Sequence, residues 1–450
     1  MASRWPKIIR DPIHDIISFE NDDCDKLLLR LIDAKEFQRL RRIKQLGMCD
    51  LVFPGASHSR FSHSVGVLHT ARKFLDRVEK VNGDTLDENK RLVVLAAALL
   101  HDLGHGPLSH SFEEVTDQKH EERSTVIILD ESTDINGVLK THSEALPRQV
   151  AVFLDQDLDE NPEEIVGLPS FFFRIVSGQL DADRFDYLLR DSHFTGTQYG
   201  SFDIGWLLQQ LRVESGKGRF YLSRKAFSAT EEYVFARYHM YKAVYFHKAC
   251  RAAEKMVTLV FQRFRELLAG RDGEAEKKNV VRDAPSLVVS FFSGDTRLST
   301  FLGLDDHAVT EFLKAAQDAT DSLLKDLARG LLHRKLYKCS DVTGTDDGRR
   351  RNFDQETQEW LRQQGLDAGY LFLFDTPGDT PYEPYDPDEE EERTQIYIET
   401  PDGRQAEISR CSKPVEQLTS KYQLLRYYYP EWIRDNINEI AQQHLRKEES

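Results

Sequence analysis

His101 and Asp102 stand side by side at the end of a strongly apolar run, in Leu99-Leu-His-Asp-Leu-Gly-His-Gly-Pro-Leu-Ser-His110. An adjacent imidazole and carboxylate can place one nitrogen and one oxygen on the same divalent ion. That mixed set suits Zn, Mn or Fe rather than a calcium cage. Another imidazole, His63, lies upstream in Ser59-Arg-Phe-Ser-His-Ser-Val-Gly66. Two carboxylates, Asp181 and Asp183, lie downstream in Leu180-Asp-Ala-Asp-Arg-Phe-Asp-Tyr-Leu-Leu-Arg-Asp191 and compete for a further ligand position. On a helix, Asp183, Tyr187 and Asp191 share one face and would present a ligand, a phenol and a carboxylate to one cleft. Asp181 reads better as the residue that stabilises the first turn of that helix. His101, His105, His110, His120 and His142 are dense for so short a stretch, and a phosphate-cleaving site needs both cations and proton shuttles. Glu113 or Glu121 could hold one of these imidazoles in its reactive tautomer. Taken singly, each histidine is more often a core or helix-terminal residue than a ligand.

These groups need elements to position them. Residues 7–20 read as a short extended segment, with Pro12 and the alternating Ile13 and Ile16–Ile17. Leu27, Leu31, Phe37, Leu40 and Ile43 predict a helix over 24–46, stopped by Gly47 and Pro54-Gly55. Val65, Leu68, Ala71, Leu75 and Val78 mark the next helix. Residues 91–100 are apolar nearly all round and read as a central buried helix. Gly104, Gly106 and Pro107 end it just where the candidate ligands emerge. Further helices are expected over 145–154, 163–177, 180–191, 203–212, 228–268, 285–292 and 308–332. A hairpin strand is expected near 219–222, a charged loop over 270–283 and an acidic, proline-rich loop over 374–393. A β-hairpin should turn at Asp402-Gly403 within 395–409, and a last helix should start near Pro430.

The chain has 450 residues, 40% hydrophobic and 30% charged, enough for a large core plus a smaller appendage. A formal net charge of −16 argues against general binding to nucleic acid or membrane surfaces, while a local basic pocket could still hold phosphates. The longest apolar stretch, 92–100, is too short to cross a bilayer, and the first residues lack an apolar signal core. Cys24, Cys49, Cys250, Cys339 and Cys411 are scattered, with no CxxC spacing, which fits a reduced cytoplasmic protein without structural disulfides.

The order His63, His101-Asp102, Asp183 resembles the ligand pattern of the HD phosphohydrolase superfamily. Longer runs resemble the SAM-and-HD-domain dNTP triphosphohydrolases of animals and their bacterial relatives. These runs are Lys7-Ile-Ile-Arg-Asp-Pro-Ile-His14, Phe37-Gln-Arg-Leu-Arg41, Ile43-Lys-Gln-Leu-Gly47, Val52-Phe-Pro-Gly-Ala-Ser-His58, the stretch 101–110 and Phe185-Asp-Tyr-Leu-Leu-Arg-Asp191. The resemblance covers most of residues 5–340 and, more weakly, the C-terminal hairpin; the SAM module has no counterpart in this chain. It implies a mainly α fold, an HD-domain helical core with a small α/β C-terminal region. The expected division is an N-terminal segment and helix, 1–48, offering a nucleotide-regulatory and oligomer surface; an HD core, 49–340; and a C-terminal α/β appendage, 341–450, carrying the acidic loop.

The same resemblance implies removal of intact triphosphate from a dNTP, leaving the deoxynucleoside. The metal, Fe, Mn, Zn or Ni, would sit on His63, His101, Asp102 and Asp183, with Mg on the nucleotide phosphates. Arg60, His110, Arg184, Tyr187 and Arg237 match phosphate contacts. Gln45 and Asp191 match contacts to the 3′-OH, and Leu46 and Tyr245 match residues that crowd C2′ and reject ribose. His105, Glu113 and His120 match the acid/base histidines and their carboxylate, with Glu113 in place of an Asp. Arg184 stands where the animal enzyme has Lys, and Tyr241 where a histidine is expected. Arg237, Tyr241 and Tyr245 fall at i, i+4 and i+8, so one helix could span phosphate and sugar. Lys7, Ile8, Asp33, Gln38 and Arg41 match an activator site for GTP or a dNTP between subunits, which implies a homo-oligomer, a tetramer. Two rivals remain: another HD-type nucleotide phosphohydrolase (nucleotidase or phosphodiesterase) and a non-catalytic nucleotide sensor. The (p)ppGpp hydrolases carry an acidic pair where Leu103-Gly104-His105 stands here, and the Gly-Tyr-Pro signature of the cyclic-dinucleotide type is absent.

Overall fold

The helix Glu88–Leu100 is the axis of the molecule. The computed structural model describes residues 5–83, 85–214, 218–269, 280–379, 382 and 395–445. In it, every side chain from Leu92 to Leu100 is 0–1% exposed, so this helix is apolar on all sides because it is packed on all sides. Asp87 caps its start by accepting from Lys90 N at 2.9 Å. The helix Arg60–Asn82 packs against it and also against the helix Ala182–Thr195. Arg60–Asn82 ends at Gly83, whose φ of +75° is the left-handed conformation in which glycine pays no steric penalty. Asp181 caps Ala182–Thr195, its Oδ1 accepting from Arg184 N at 2.6 Å. Arg60–Asn82 carries His63, Ala182–Thr195 carries Asp183, and His101-Asp102 follow directly on the end of Glu88–Leu100. The fold is mainly helical with small sheets, in keeping with the resemblance.

The extended segment at 7–20 is a hairpin of two strands, Lys7–Asp11 and Asp15–Phe19. The helix expected over 24–46 is broken at Ala34 and finishes as a 3-10 turn, Leu40–Arg42. The stretch 163–177 is not one helix. A single turn, Pro162–Val166, is followed by a 3-10 run, Ser170–Ile175, because Gly167 and Pro169 interrupt it. The helix expected over 203–212 stops at Gln210, and that over 308–332 is two, Asp306–Ala316 and Ser322–Leu332. The continuous helix expected over 228–268 is also interrupted. Phe227–Met240 opens into a π-helical turn, Tyr241–Tyr245, with Phe246 N on Tyr241 O at 2.8 Å, and a new helix, Lys248–Leu268, follows.

Two sheets tie the C-terminal region to the rest. Lys338–Asp341, Arg426–Tyr429 and Leu373–Asp375 form an antiparallel sheet with Arg426–Tyr429 in the middle. Leu211–Glu214 and Arg219–Leu222 form a hairpin, extended by Tyr397–Glu399 and Gln405–Glu407 through a parallel pairing of Leu222 with Ile398. The boundary expected at 340/341 therefore falls inside a strand, and core and appendage share a sheet. Of the loops expected at 270–283 and 374–393, residues 270–279, 380–381 and 383–393 lie outside the described residues. Among the described residues no helix is long and apolar enough to cross a membrane.

Candidate metal centre and substrate cleft

Three elements deliver four candidate ligands to one point. His63 Nε2 lies 3.0 Å from Asp183 Oδ1 and 3.6 Å from Asp102 Oδ2. His101 Nε2 lies 3.4 Å from Asp102 Oδ1 and 3.6 Å from Asp183 Oδ1. Each imidazole is aimed by its other nitrogen: His63 Nδ1 bonds Asp186 Oδ2 at 2.8 Å, and His101 Nδ1 bonds Ala98 O at 2.9 Å. Both Nε2 atoms are thereby left as the ligand nitrogens. His101 Nε2 is buried and has no hydrogen-bond partner, and one ligand atom each from His63, His101 and Asp183 lie within 4.8 Å of one another. Burial alone would hold the His63 imidazole neutral, but hydrogen bonds to Asp183 and Asp186 overcome it and lift its pKa to about 10. Burial of Asp183 is likewise outweighed, by the His101 and His63 imidazoles that face it, which keep it well below the usual carboxylate range. Two imidazole nitrogens facing two carboxylates are the donor set of a divalent transition ion, and the residues fit one. Asp181 stays outside this set as the helix cap.

Beside the metal ligands lies a second cluster. The His105 and His120 rings stack at 3.7 Å. Glu113 Oε1 accepts from His120 Nδ1 at 2.7 Å, and Oε2 faces His110 Nδ1 at 3.2 Å. His105 Nε2 reaches Asp102 Oδ1 at 3.3 Å, so Asp102 joins the two clusters. Burial and the nearby Arg60 hold the His105 pKa well below the ordinary histidine range. Gly104 permits the assembly: a Cβ there would meet His120 O at 2.2 Å. Leu108 and Ser109 have φ of +58° and +56°, strained for non-glycine residues, and are held by two bonds. Asp306 Oδ1 accepts from Leu108 N at 2.7 Å, and Ser109 Oγ donates to Lys44 O at 2.8 Å.

Both clusters open into a cleft of about 620 Å³. Gln45, Leu46, Arg60, His110, Arg184, Tyr187, Asp191, Tyr241 and Tyr245 line it, together with His101, Asp102, His105, His120 and Asp183. Arg237 and Glu113 do not: Arg237 is buried behind the wall, 5.4 Å from the Tyr241 ring, and Glu113 stands behind its histidines. Two of the expected phosphate arginines are already ion-paired. Arg60 bonds Asp102 and Ser109, and Arg184 bonds Asp181 and Gly178 O. Among the residues expected at the sugar, Asp191 Oδ1 takes His58 Nε2 at 2.7 Å and Oδ2 takes Tyr245 OH at 2.8 Å. Gln45 Oε1 is buried without a partner. The single straight helix expected to run from Arg237 through Tyr245 is not formed, because it opens into the π turn at Tyr241.

The expected regulatory residues lie away from the cleft. Arg41 is exposed, bonds Gln38 Oε1 through Nε at 2.8 Å and stacks on Phe61. Gln38 Nε2 donates to Ile32 O at 2.7 Å, and Asp33, Lys7 and Ile8 are exposed. Sequence reasoning missed His58, Asp186 and Arg190 as parts of the site. All three lie in runs that carry the family resemblance, so their positions were visible and their partners were not.

Residues 60–154 match the HD domain and residues 202–289 the HD associated region. With this site and fold, the chain belongs to the HD-domain phosphohydrolases, metal-binding hydrolases. It is 36% identical over 425 residues to an uncharacterised protein of Bacillus subtilis strain 168, YwfO, covering 94% of this chain and 92% of that one. It is 29% identical over 367 residues to the deoxynucleoside triphosphate triphosphohydrolase SAMHD1 of Danio rerio, covering 76% of this chain and 56% of that one. A phosphohydrolase from Bacteroides thetaiotaomicron superposes with a TM-score of 0.75 at 27% identity, over 95% of this chain and 100% of the other.

Proposed function

We propose that this phosphohydrolase is a dNTP triphosphohydrolase, acting in the cytoplasm as a homotetramer and activated by GTP or a dNTP at Lys7, Ile8, Asp33, Gln38 and Arg41. One observation carries the substrate reading. The cleft lined by the metal donors His101, Asp102 and Asp183 is lined also by Gln45, whose Oε1 is buried without a partner, by Leu46 and by the hydrogen-bonded Asp191–Tyr245 pair. Gln45 and Asp191 would take the 3′-OH. A 2′-OH against Leu46 would lose its water without gaining a partner, which costs about 1–3 kcal/mol.

A divalent ion on His63, His101, Asp102 and Asp183 would supply Lewis-acid polarisation of a phosphoryl oxygen. Arg184, Arg60, His110 and Tyr187 would hold the phosphates, with Arg237 supporting from behind and Mg on the outer phosphates. Water adds to the α-phosphorus while the bond to O5′ breaks. Inorganic triphosphate leaves, and O5′ takes a proton to complete the deoxynucleoside. His120 is the donor best placed by geometry, because Glu113 fixes its Nδ1 and leaves Nε2 toward the cleft. His105, stacked on it, is the alternative.

The test is incubation with each dNTP and NTP, with and without GTP, resolving triphosphate from pyrophosphate and orthophosphate. Triphosphate and deoxynucleoside are expected from dNTPs, with NTPs slower, and Leu46→Gly should narrow that gap. Orthophosphate or pyrophosphate as first product, or turnover confined to phosphodiesters, would move the protein to another HD nucleotide hydrolase. No turnover of any nucleotide would leave a sensor.

A further inference from the structure

The N-terminal hairpin ends in two buried side chains that reach the metal centre. At its turn, Asp11 Oδ1 accepts from Ile13 N at 2.9 Å and His14 N at 3.0 Å. The Asp11 carboxylate also pairs with Arg190, through Nη1 at 2.9 Å and Nη2 at 3.2 Å. Arg190 in turn grips Asp186, through Nε at 2.8 Å and Nη2 at 2.9 Å. His14 Nε2 bonds the same carboxylate at Oδ1, at 2.7 Å, while Oδ2 holds His63 Nδ1 at 2.8 Å. The His14 side chain is 3% exposed and that of Asp186 0%. Space for this network is reserved in the backbone. Gly66 lies in the interior of the His63 helix, and a Cβ on it would sit 1.9 Å from Asp186 Oδ1 and 2.5 Å from Arg190 Nη2. A glycine in a helix interior costs about 1 kcal/mol relative to alanine, so the close approach is bought at a real sacrifice of helix stability.

We infer that residues 7–19 are part of the grip on the metal: His14 is a positioning residue that acts through Asp186 on His63. Three donors converge on Asp186, one of them the metal ligand itself. Arg190 and His14 fix the carboxylate's place, and the carboxylate fixes the ring orientation and proton position of His63. Removing His14 leaves Asp186 Oδ1 with Arg190 Nη2 alone and loosens the aim of His63 Nε2. By linkage, an ion that prefers the well-aimed His63 also favours the docked hairpin, since coupling between two binding events is reciprocal. The hairpin also carries the exposed Lys7 and Ile8, so whatever displaces the hairpin alters the metal centre. This goes beyond the substrate reading and does not depend on it.

The experiment measures Mn(II) affinity of the full chain by competition with a chelator, for the wild type, His14→Ala and His14→Gln. His14→Ala should weaken binding about 10–100-fold, and His14→Gln, which keeps an N–H donor, should recover part of the loss. A purely structural role would lower the melting temperature of the metal-free protein without moving this affinity. Hydrogen exchange on the wild type should show slower exchange of the hairpin amides Ile8–Ile17 with Mn(II) bound than after metal removal. That measurement decides alone should His14→Ala fail to fold. The inference is overturned by unchanged affinity in His14→Ala, by a loss that His14→Gln does not lessen, or by hairpin amides that ignore the metal. Neither readout uses a nucleotide, so these outcomes are separate from the fate of the dNTP reading.

Discussion

A buried nitrogen without a partner, such as His101 Nε2, costs about 1–3 kcal/mol unless something meets it. A divalent ion meets it and at the same time neutralises the carboxylates of Asp102 and Asp183. The double replacement His101→Ala with Asp102→Ala is therefore expected to abolish bound metal and activity together. The helical circular-dichroism signal should persist, because residues 92–100 pack without either side chain. Elemental analysis of the purified variant checks this, and wild-type metal content would sink the ligand assignment. These ligands were legible in the sequence because ligation restricts residue type and the chain order is distinctive. Asp186 and His58 were not, because their meaning lies in partners 123 and 133 residues away, His63 and Asp191. The carboxylate that pairs with Arg60, Asp102, lies 42 residues away and was hidden for the same reason.

Among elements, the loop 104–109 is the most dependent on outside support. Asp306, at the start of its helix, accepts from Leu108 N and from Lys44 N at 2.9 Å, binding two walls of the cleft together. Burial raises the Asp306 carboxyl from 3.8 to about 6, against the pull of those two amides. Its folded pKa exceeds the unfolded one, so the folded state holds the extra proton between them. The associated stability is fully present below about pH 4 and is lost as pH rises through about 6, a difference of about 3 kcal/mol. Asp306→Asn is expected to flatten this fall in urea unfolding between pH 4 and 6.5, apart from a constant offset for the acceptor that Asn lacks. A fall as steep as that of the wild type would assign it to other groups. The helices around the ligands were legible because their apolar faces repeat regularly. The π turn at Tyr241–Tyr245 was not, since one extra residue barely disturbs a periodic pattern. The helix Asp347–Gln363 went unseen because its buried stripe is only Phe353, Thr357 and Leu361.

At the scale of the whole molecule, the regulatory proposal concerns assembly. An activator shifts an equilibrium only by binding one state better than another. If GTP bridges subunits through Arg41, initial rates and sedimentation should rise together across a GTP titration. Arg41→Ala should then need several-fold more GTP while keeping wild-type metal content. Rates and sedimentation that ignore GTP, with a silent Arg41→Ala, would leave this surface as packing alone. The boundary expected at 340/341 falls inside the strand Lys338–Asp341, and strand pairing between distant segments leaves no mark on either one. Leu222 pairs with Ile398, and Arg251, in the cleft wall, is clamped by Asp375 at 3.0 and 2.8 Å.

That last feature bears on how the chain is made. Synthesis runs from the N-terminus, and domains generally fold as units as they emerge. Here the strand Arg219–Leu222 finds its parallel neighbour only after residue 398 has left the ribosome, and Arg251 waits for Asp375. Until then the nascent chain carries an unpaired strand edge and an unclamped guanidinium, the latter for the 124 residues that separate Arg251 from Asp375. Completion of the cleft wall is in this sense timed by a segment made well after the guanidinium it clamps.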